Sequence, residues 1–135
     1  MRASADLGKL VLRLTLGILT LLHGINKIMT GPAGIMGLMA KHSLPPSLAY
    51  LVYIGEVLAP LLLIIGLWTR AAALVVAINM IVAVYLAHAD QIIQLSEKTG
   101  GWAIELQGFY FFSAMAIALL GAGRYSLGGD SGKLN

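Results

Sequence analysis

The chain has 135 residues, enough for one domain, and 59% of them are hydrophobic while only 11% are charged. Ordinary soluble domains are roughly 45–50% apolar and about 25% charged, so the composition excludes a typical soluble protein. The absence of cysteine excludes disulfide bonds, thiol catalysis and cysteine metal sites. The formal net charge of +3 is too small to indicate nucleic-acid binding, so we expect no nucleic-acid partner.

Four apolar stretches follow one another along the chain, and each is near the ~20 residues that a helix needs to cross a bilayer. They cover about 7–29, 47–68, 71–93 and 102–121. In lipid a segment must satisfy its own backbone hydrogen bonds, which favours helices over strands. We therefore predict an all-α fold, an integral membrane four-helix bundle formed by a single domain over residues 1–135.

The ends of the first stretch are also informative. It is too long for a signal-peptide core and no small-residue cleavage site follows it, so we expect a retained membrane helix. Gly31, Gly34 and Gly37 predict a loop after it. The sequence "LPP" at 44–46 then stops any helix before the second stretch begins.

The positions of lysine and arginine predict the orientation, because positive residues concentrate on the cytoplasmic side. With the N-terminus inside, three lysines lie on or near the outer side, namely Lys27, Lys41 and Lys98. The inner side then holds Arg2, Lys9, Arg13, Arg70, Arg124 and Lys133. This distribution predicts that both termini are cytoplasmic.

Five ionisable residues interrupt the apolar helices: His23, Lys27, Glu56, His88 and Glu105. At a rise of 1.5 Å per residue, all five fall in the outer half of the bilayer, about 3 to 13 Å below its outer boundary. A carboxylate at the depth of Glu56 costs a few kcal/mol unless it is paired or protonated. We therefore predict a polar site in the outer half, to which every helix contributes.

The helix faces refine this prediction. His23 and Lys27 share a face because they are one turn apart, and Pro60 should kink the second helix beside Glu56. A stripe of small and polar residues runs along the first helix, comprising Arg13, Gly17, Thr20, Gly24 and Lys27.

Two polar residues are excluded from the predicted site by the same reasoning. Asn79 lies nine residues before His88, which places it on the opposite side of the third helix. On the fourth helix, Gln107 points away from the face that carries Glu105.

Two carboxylates, two imidazoles and an ammonium can form a structural network, transfer protons or bind a polar head group. His23 and His88 would be the axial ligands if haem were bound. We assign no metal site, because every pair except His23 and Lys27 comes from different helices. Simpler explanations stay open: Lys27 can snorkel, Glu105 can be a helix-start acid, and Arg70 can serve topology.

Several segments together resemble the DoxX family of small bacterial membrane proteins. They are "RLTLGILTLLHGINKI" at 13–28, the stretch from "LPPSLAY" at 44–50 to "YLAH" at 85–88, and "ELQGFYFFSAMAIALLGAGRYSL" at 105–127. The motif positions carry over to His23, Gly24, Lys27, Glu56, Arg70, His88, Glu105 and the segment 121–126. The resemblance covers nearly the whole chain.

This resemblance implies a multi-pass protein of the bacterial inner (cytoplasmic) membrane. Relatives are linked to quinone-reducing oxidoreductases or to oxidative and quinone stress, so it implies a quinone or another small ligand and a redox partner protein. The predicted function is a quinone-linked oxidoreductase subunit. A non-enzymatic binding or assembly protein, held together by a structural ion network, is the alternative. A small-molecule transporter is a third, which would require a homo-oligomer to provide a path.

Overall fold

The computed structural model describes residues 1–135, and its regular structure is helical. Two residues in the loop before the last helix, Leu95 and Trp102, form an isolated β-bridge. The α-helices are α1 (Arg2–Thr30), α2 (Ala33–Lys41), α3 (Ala59–Ile65), α4 (Thr69–Ala87) and α5 (Glu105–Leu120). A 3-10 helix at Pro46–Leu51 and a π-helix at Ile54–Leu58 precede α3. The all-α prediction is confirmed.

Two segments are long and apolar enough to cross a membrane, Pro46–Ile65 and Thr69–Ala87. The shorter α5 is also apolar. The longest helix is α1, which interrupts its apolar sequence with Arg13, His23 and Lys27. Large apolar side chains cover the outside of the bundle; on α5, for example, Phe109, Phe112 and Leu119 are 66–75% exposed. An apolar exterior of this extent is what a bilayer covers.

One predicted loop is a helix. Residues 33–41 form α2 although Gly34 and Gly37 lie within it, so the loop prediction was wrong. Tertiary packing outweighs the low helix propensity of glycine here: Met39 of α2 is buried in a small apolar cluster with Ala49 and Leu86.

The third stretch ends earlier than expected, because α4 stops at Ala87 rather than near residue 93. The last helix likewise begins at Glu105 rather than at 102. Residues 88–104 therefore form a connection that contains a single 3-10 turn.

The core lies between α3, α4 and α5, with Leu16 of α1, and alanines make up nearly half of it. Ala73, Val76, Ala114 and Leu63 are fully buried. Alanine at four-residue spacing allows helix backbones to approach closely, and this spacing is present on both α4 and α5.

Arg13 is the largest fully buried side chain, and it lies at the end of the bundle that carries the chain termini. It is 1% exposed. Its Nη1 donates to the carbonyl oxygens of Leu63 at 2.7 Å and Ile64 at 3.0 Å, and its Nη2 donates to that of Tyr125 at 2.7 Å. The first two oxygens belong to the C-terminal turn of α3, whose carbonyls have no partner within the helix. The segment "GAGRYSL" thus contributes one carbonyl oxygen to a buried guanidinium.

Arg70 likewise donates hydrogen bonds to carbonyl oxygens at the C-terminal end of α5. Its Nη1 donates to the carbonyl oxygens of Ala118 and Leu119, both at 2.9 Å, near the end of that helix. A cation at a helix C-terminus also interacts favourably with the helix dipole. Whatever its effect on topology, Arg70 therefore caps a helix.

Candidate functional site

A close ion pair joins α1 to the π-helix. The Nζ atom of Lys27 lies 2.5 Å from Oε1 and 2.6 Å from Oε2 of Glu56. The Glu56 side chain is 4% exposed, whereas that of Lys27 is 30% exposed. The ammonium compensates the carboxylate, which would otherwise cost several kcal/mol to bury.

Gly24 makes this pair possible by allowing the two backbones to touch. A Cβ atom on Gly24 would overlap the carbonyl oxygen of Glu56. Pro60 lies four residues after Glu56 and has no N–H to donate to that carbonyl, and the chain forms its π-helix at Ile54–Leu58. The expected disturbance of the helix by Pro60 is therefore present, and it brings Glu56 against α1.

Asn79 is a third member of this group. The prediction that it lies outside the polar site was wrong. Its Nδ2 donates to Glu56 Oε1 at 3.0 Å. Gly55 leaves the necessary space, because a Cβ there would lie 2.5 Å from Asn79 Oδ1. The prediction assumed that the helix continues from Asn79 to His88, but His88 lies beyond the end of α4 with φ −137°.

The three side chains line a cavity of about 660 Å³. Of its 25 lining residues, 17 are hydrophobic. They come from the C-terminal half of α1, from α2, from the segment before α3, from α4 and from the start of α5. The polar lining side chains are Thr20, His23, Lys27, Glu56, Asn79, His88 and Gln107, and Tyr110, counted among the hydrophobic residues, adds a hydroxyl group. Such a cavity suits an apolar molecule that carries a small polar group.

Four of the five predicted residues, His23, Lys27, Glu56 and His88, line this cavity. The His23 ring packs edge-on against Tyr110 with 6.0 Å between centroids. His88 has a buried Nδ1 with no hydrogen-bond partner in the protein. Buried polar atoms of this kind are uncommon and call for an explanation.

Glu105 does not join the group. It is exposed and is absent from the cavity lining, while Gln107 is present, the reverse of the predicted orientation. The loop before α5 folds back over the face that carries Glu105, with the Trp102 ring against Gly108. The opposite face, including Gln107 and Tyr110, is left to line the cavity.

No group of three or more histidine, aspartate or glutamate side chains is arranged to hold a metal ion. His23 and His88 face the same cavity, so haem ligation by this pair stays a prediction. The sequence-based search missed α2, since its glycines indicated a loop. The apolar residues of α2 that line the cavity were the available signal: Ile35, Leu38 and Met39.

Comparison with known proteins agrees with the resemblance found in the sequence. The sequence model of the DoxX family matches residues 8–89, a segment that contains Lys27, Glu56 and Asn79. A relative named "Putative oxidoreductase CatD", from Bacillus subtilis (strain 168), is 31% identical over 84 residues. That alignment covers 62% of this chain and 62% of the relative, so the chain spans less than two thirds of the relative's length. No solved structure matches the chain. The chain belongs to the DoxX family of membrane proteins.

Proposed function

We propose that this protein is the membrane subunit of a quinone-linked oxidoreductase and binds a lipid-soluble quinone in the cavity described above. The observation that carries the proposal is the combination in one cavity of largely apolar walls with the Lys27–Glu56–Asn79 group. The name of the relative from Bacillus subtilis supports the oxidoreductase class.

In this proposal the chain is a single multi-pass domain of the bacterial inner membrane. Four spans cross the bilayer: α1, the segment Pro46–Ile65, α4 and α5. Both termini are cytoplasmic, as the excess of lysine and arginine at that end suggests. The cavity then lies in the outer half of the bilayer, and α2 covers it on the outer side.

The cavity offers the chemistry that a quinone head group needs. Lys27, His23 and Gln107 can donate hydrogen bonds to carbonyl oxygens, and the apolar walls suit the ring and its tail. Reduction of a quinone to a hydroquinone takes two electrons and two protons. His23 and Glu56 can pass the protons, and the electrons come from a redox-active partner protein.

The proposal is tested with purified protein in lipid nanodiscs. We expect native mass spectrometry to detect a bound quinone and a decyl benzoquinone to raise the melting temperature. Glu56→Gln should reduce the quinone effect without abolishing it, because it removes the carboxylate that holds Lys27 in place, and it should leave the helical content intact. Glu105→Gln is the matched control, because it makes the same change outside the cavity. A preparation with no visible absorbance, no bound quinone and no quinone-dependent stabilisation would contradict the proposal.

A second function is favoured by one specific observation. The carboxylate of Glu56 is already hydrogen-bonded to both Lys27 and Asn79, as expected if the pair only ties α1 to α4 and the π-helix in a binding or assembly protein. In that case Glu56→Gln should mainly lower the melting temperature. No ligand should restore it.

A further inference from the structure

The polar group in the cavity is electrically neutral as a unit. Among the 25 lining residues only Lys27 and Glu56 carry a fixed charge, and the two charges cancel at a separation of 2.5 Å. A ligand with a net charge would add an unpaired ion to a largely apolar cavity, which is costly. The cavity therefore disfavours carboxylate, phosphate and ammonium head groups.

The hydrogen bonds within the group leave both donors and acceptors unused. Lys27 has three N–H donors, of which two are given to Glu56. Asn79 donates one of its two N–H groups to Glu56, and its Oδ1 accepts no hydrogen bond from the protein. The Glu56 carboxylate accepts three hydrogen bonds and has room for about four. A head group that both donates and accepts hydrogen bonds can pair with these unused donors and acceptors, whereas one that only accepts can pair with the donors alone.

The cavity is also long. On α4 its lining extends from Val75 to His88 just beyond the helix end, about 20 Å at the helical rise per residue. Asn79 lies near the Val75 end of this lining. A ligand whose head group binds at Asn79 therefore has room for its apolar part toward His88.

We infer that the cavity selects a neutral, elongated amphiphile whose head group both donates and accepts hydrogen bonds, so that among quinone species the hydroquinone binds more tightly than the quinone. This inference rests on the proposed function and specifies the ligand state that the same site prefers. Hydroquinone hydroxyls donate to Glu56 and Asn79 Oδ1 and accept from Lys27. A quinone leaves those two acceptors unused, and unmatched buried polar groups cost affinity.

The test measures the binding of four amphiphiles with the same ten-carbon chain to the protein in nanodiscs: a decyl hydroquinone, a decyl benzoquinone, decanoate and decylamine. For the wild type we expect the hydroquinone to bind about tenfold more tightly than the benzoquinone, the ratio that about 1.4 kcal/mol provides. Both should bind more tightly than either ion.

Charge variants then test the role of neutrality. Glu56→Gln leaves the Lys27 cation unpaired, so the ratio of decanoate to hydroquinone affinity should rise about tenfold or more. The double variant Lys27→Met with Glu56→Gln is neutral again and should lose that gain. Glu105→Gln should behave as wild type. Partition into the membrane cancels when the same pair of probes is compared between variants, because all variants share the same lipid.

Asn79→Leu provides a second route if the charge variants do not fold, because it removes a donor and an acceptor without changing charge. It should reduce the preference for hydroquinone over benzoquinone. If decanoate binds the wild type as tightly as the hydroquinone, or no variant moves either ratio, the inference is overturned while quinone binding stands. If none of the four probes binds, the proposed function fails with it.

Discussion

Two cations of α1, Arg13 and Lys27, lie about 21 Å apart at the helical rise per residue, and the protein provides their hydrogen bonds in different ways. Arg13 gives its hydrogen bonds to three backbone carbonyl oxygens, whereas Lys27 gives its hydrogen bonds to the carboxylate of Glu56. Carbonyl groups at a helix end cannot change their protonation state. A carboxylate and an ammonium can exchange protons and partners.

The surroundings of the two cations differ accordingly. Arg13 is 1% exposed and is enclosed by Gly66 and Ser126. Lys27 faces a cavity of about 660 Å³. One end of the bundle is therefore closed by fixed dipoles, and the other keeps its charges where a ligand can reach them. The variants below test this contrast.

The largest effect is expected for Lys27→Met, which leaves the Glu56 carboxylate buried without its cation. We expect a loss of about 3–5 kcal/mol in the free energy of unfolding, measured by denaturation in detergent. The double variant Lys27→Met with Glu56→Gln should be more stable than Lys27→Met alone. Additive losses would show that the two side chains are not coupled.

Arg13→Met should cost about 3 kcal/mol, because it leaves the carbonyls of Leu63, Ile64 and Tyr125 without their donor. Arg13→Lys should recover little, since a single ammonium lacks the fork that reaches both α3 and the 121–126 segment. No quinone should restore either variant. Ligand rescue of Arg13→Met would remove the distinction between the two ends.

Gly24→Ala should cost about 1–3 kcal/mol, as overpacked sites do, because its Cβ meets the backbone of Glu56. It should also weaken quinone binding by separating Lys27 from its partner. Gly37→Ala is the matched control: nothing lies within 4 Å of a Cβ there, so helix propensity predicts unchanged or slightly higher stability. Equal melting temperatures for the two variants would argue against the close approach of α1 and the π-helix.

The smallest effect on stability is expected for His88→Leu. Its buried Nδ1 has no partner in the protein, and removing an unsatisfied polar atom can be nearly neutral or stabilising. We expect a change in the free energy of unfolding within about 1 kcal/mol, together with weaker stabilisation by decyl hydroquinone if His88 contacts the ligand. A large loss without ligand would indicate a structural role instead.

The buried stripe of α1 could be predicted from the sequence, because a straight helix keeps its period over many residues. Arg13, Gly17, Thr20 and Gly24 are all buried, as the spacing indicates. The depth argument also placed His23, Lys27, Glu56 and His88 in one region, and all four line the cavity.

The errors occur where the period is interrupted. The angle between Asn79 and His88 is not helical, because the helix ends between them. The face of α5 that points inward depends on which side the preceding loop covers, so Gln107 rather than Glu105 reaches the cavity. In α2 the apolar spacing of Ile35, Leu38 and Met39 favours a helix, but Gly34 and Gly37 oppose it, and the packing of Met39 against Ala49 and Leu86 decides between them.

The π-helix beside Pro60 has a consequence for how the two parts of the segment Pro46–Ile65 are rotated relative to each other. A π-helix accommodates an additional residue in an otherwise α-helical chain, so the faces before and after Ile54–Leu58 are set independently. Deleting one residue there would turn everything on one side by about 100°. Tyr53, whose hydroxyl donates to the Lys27 carbonyl at 3.2 Å, and the buried Pro60 could then no longer both keep their present neighbours. A change of length in this segment would therefore rearrange the pairing around Glu56 as well.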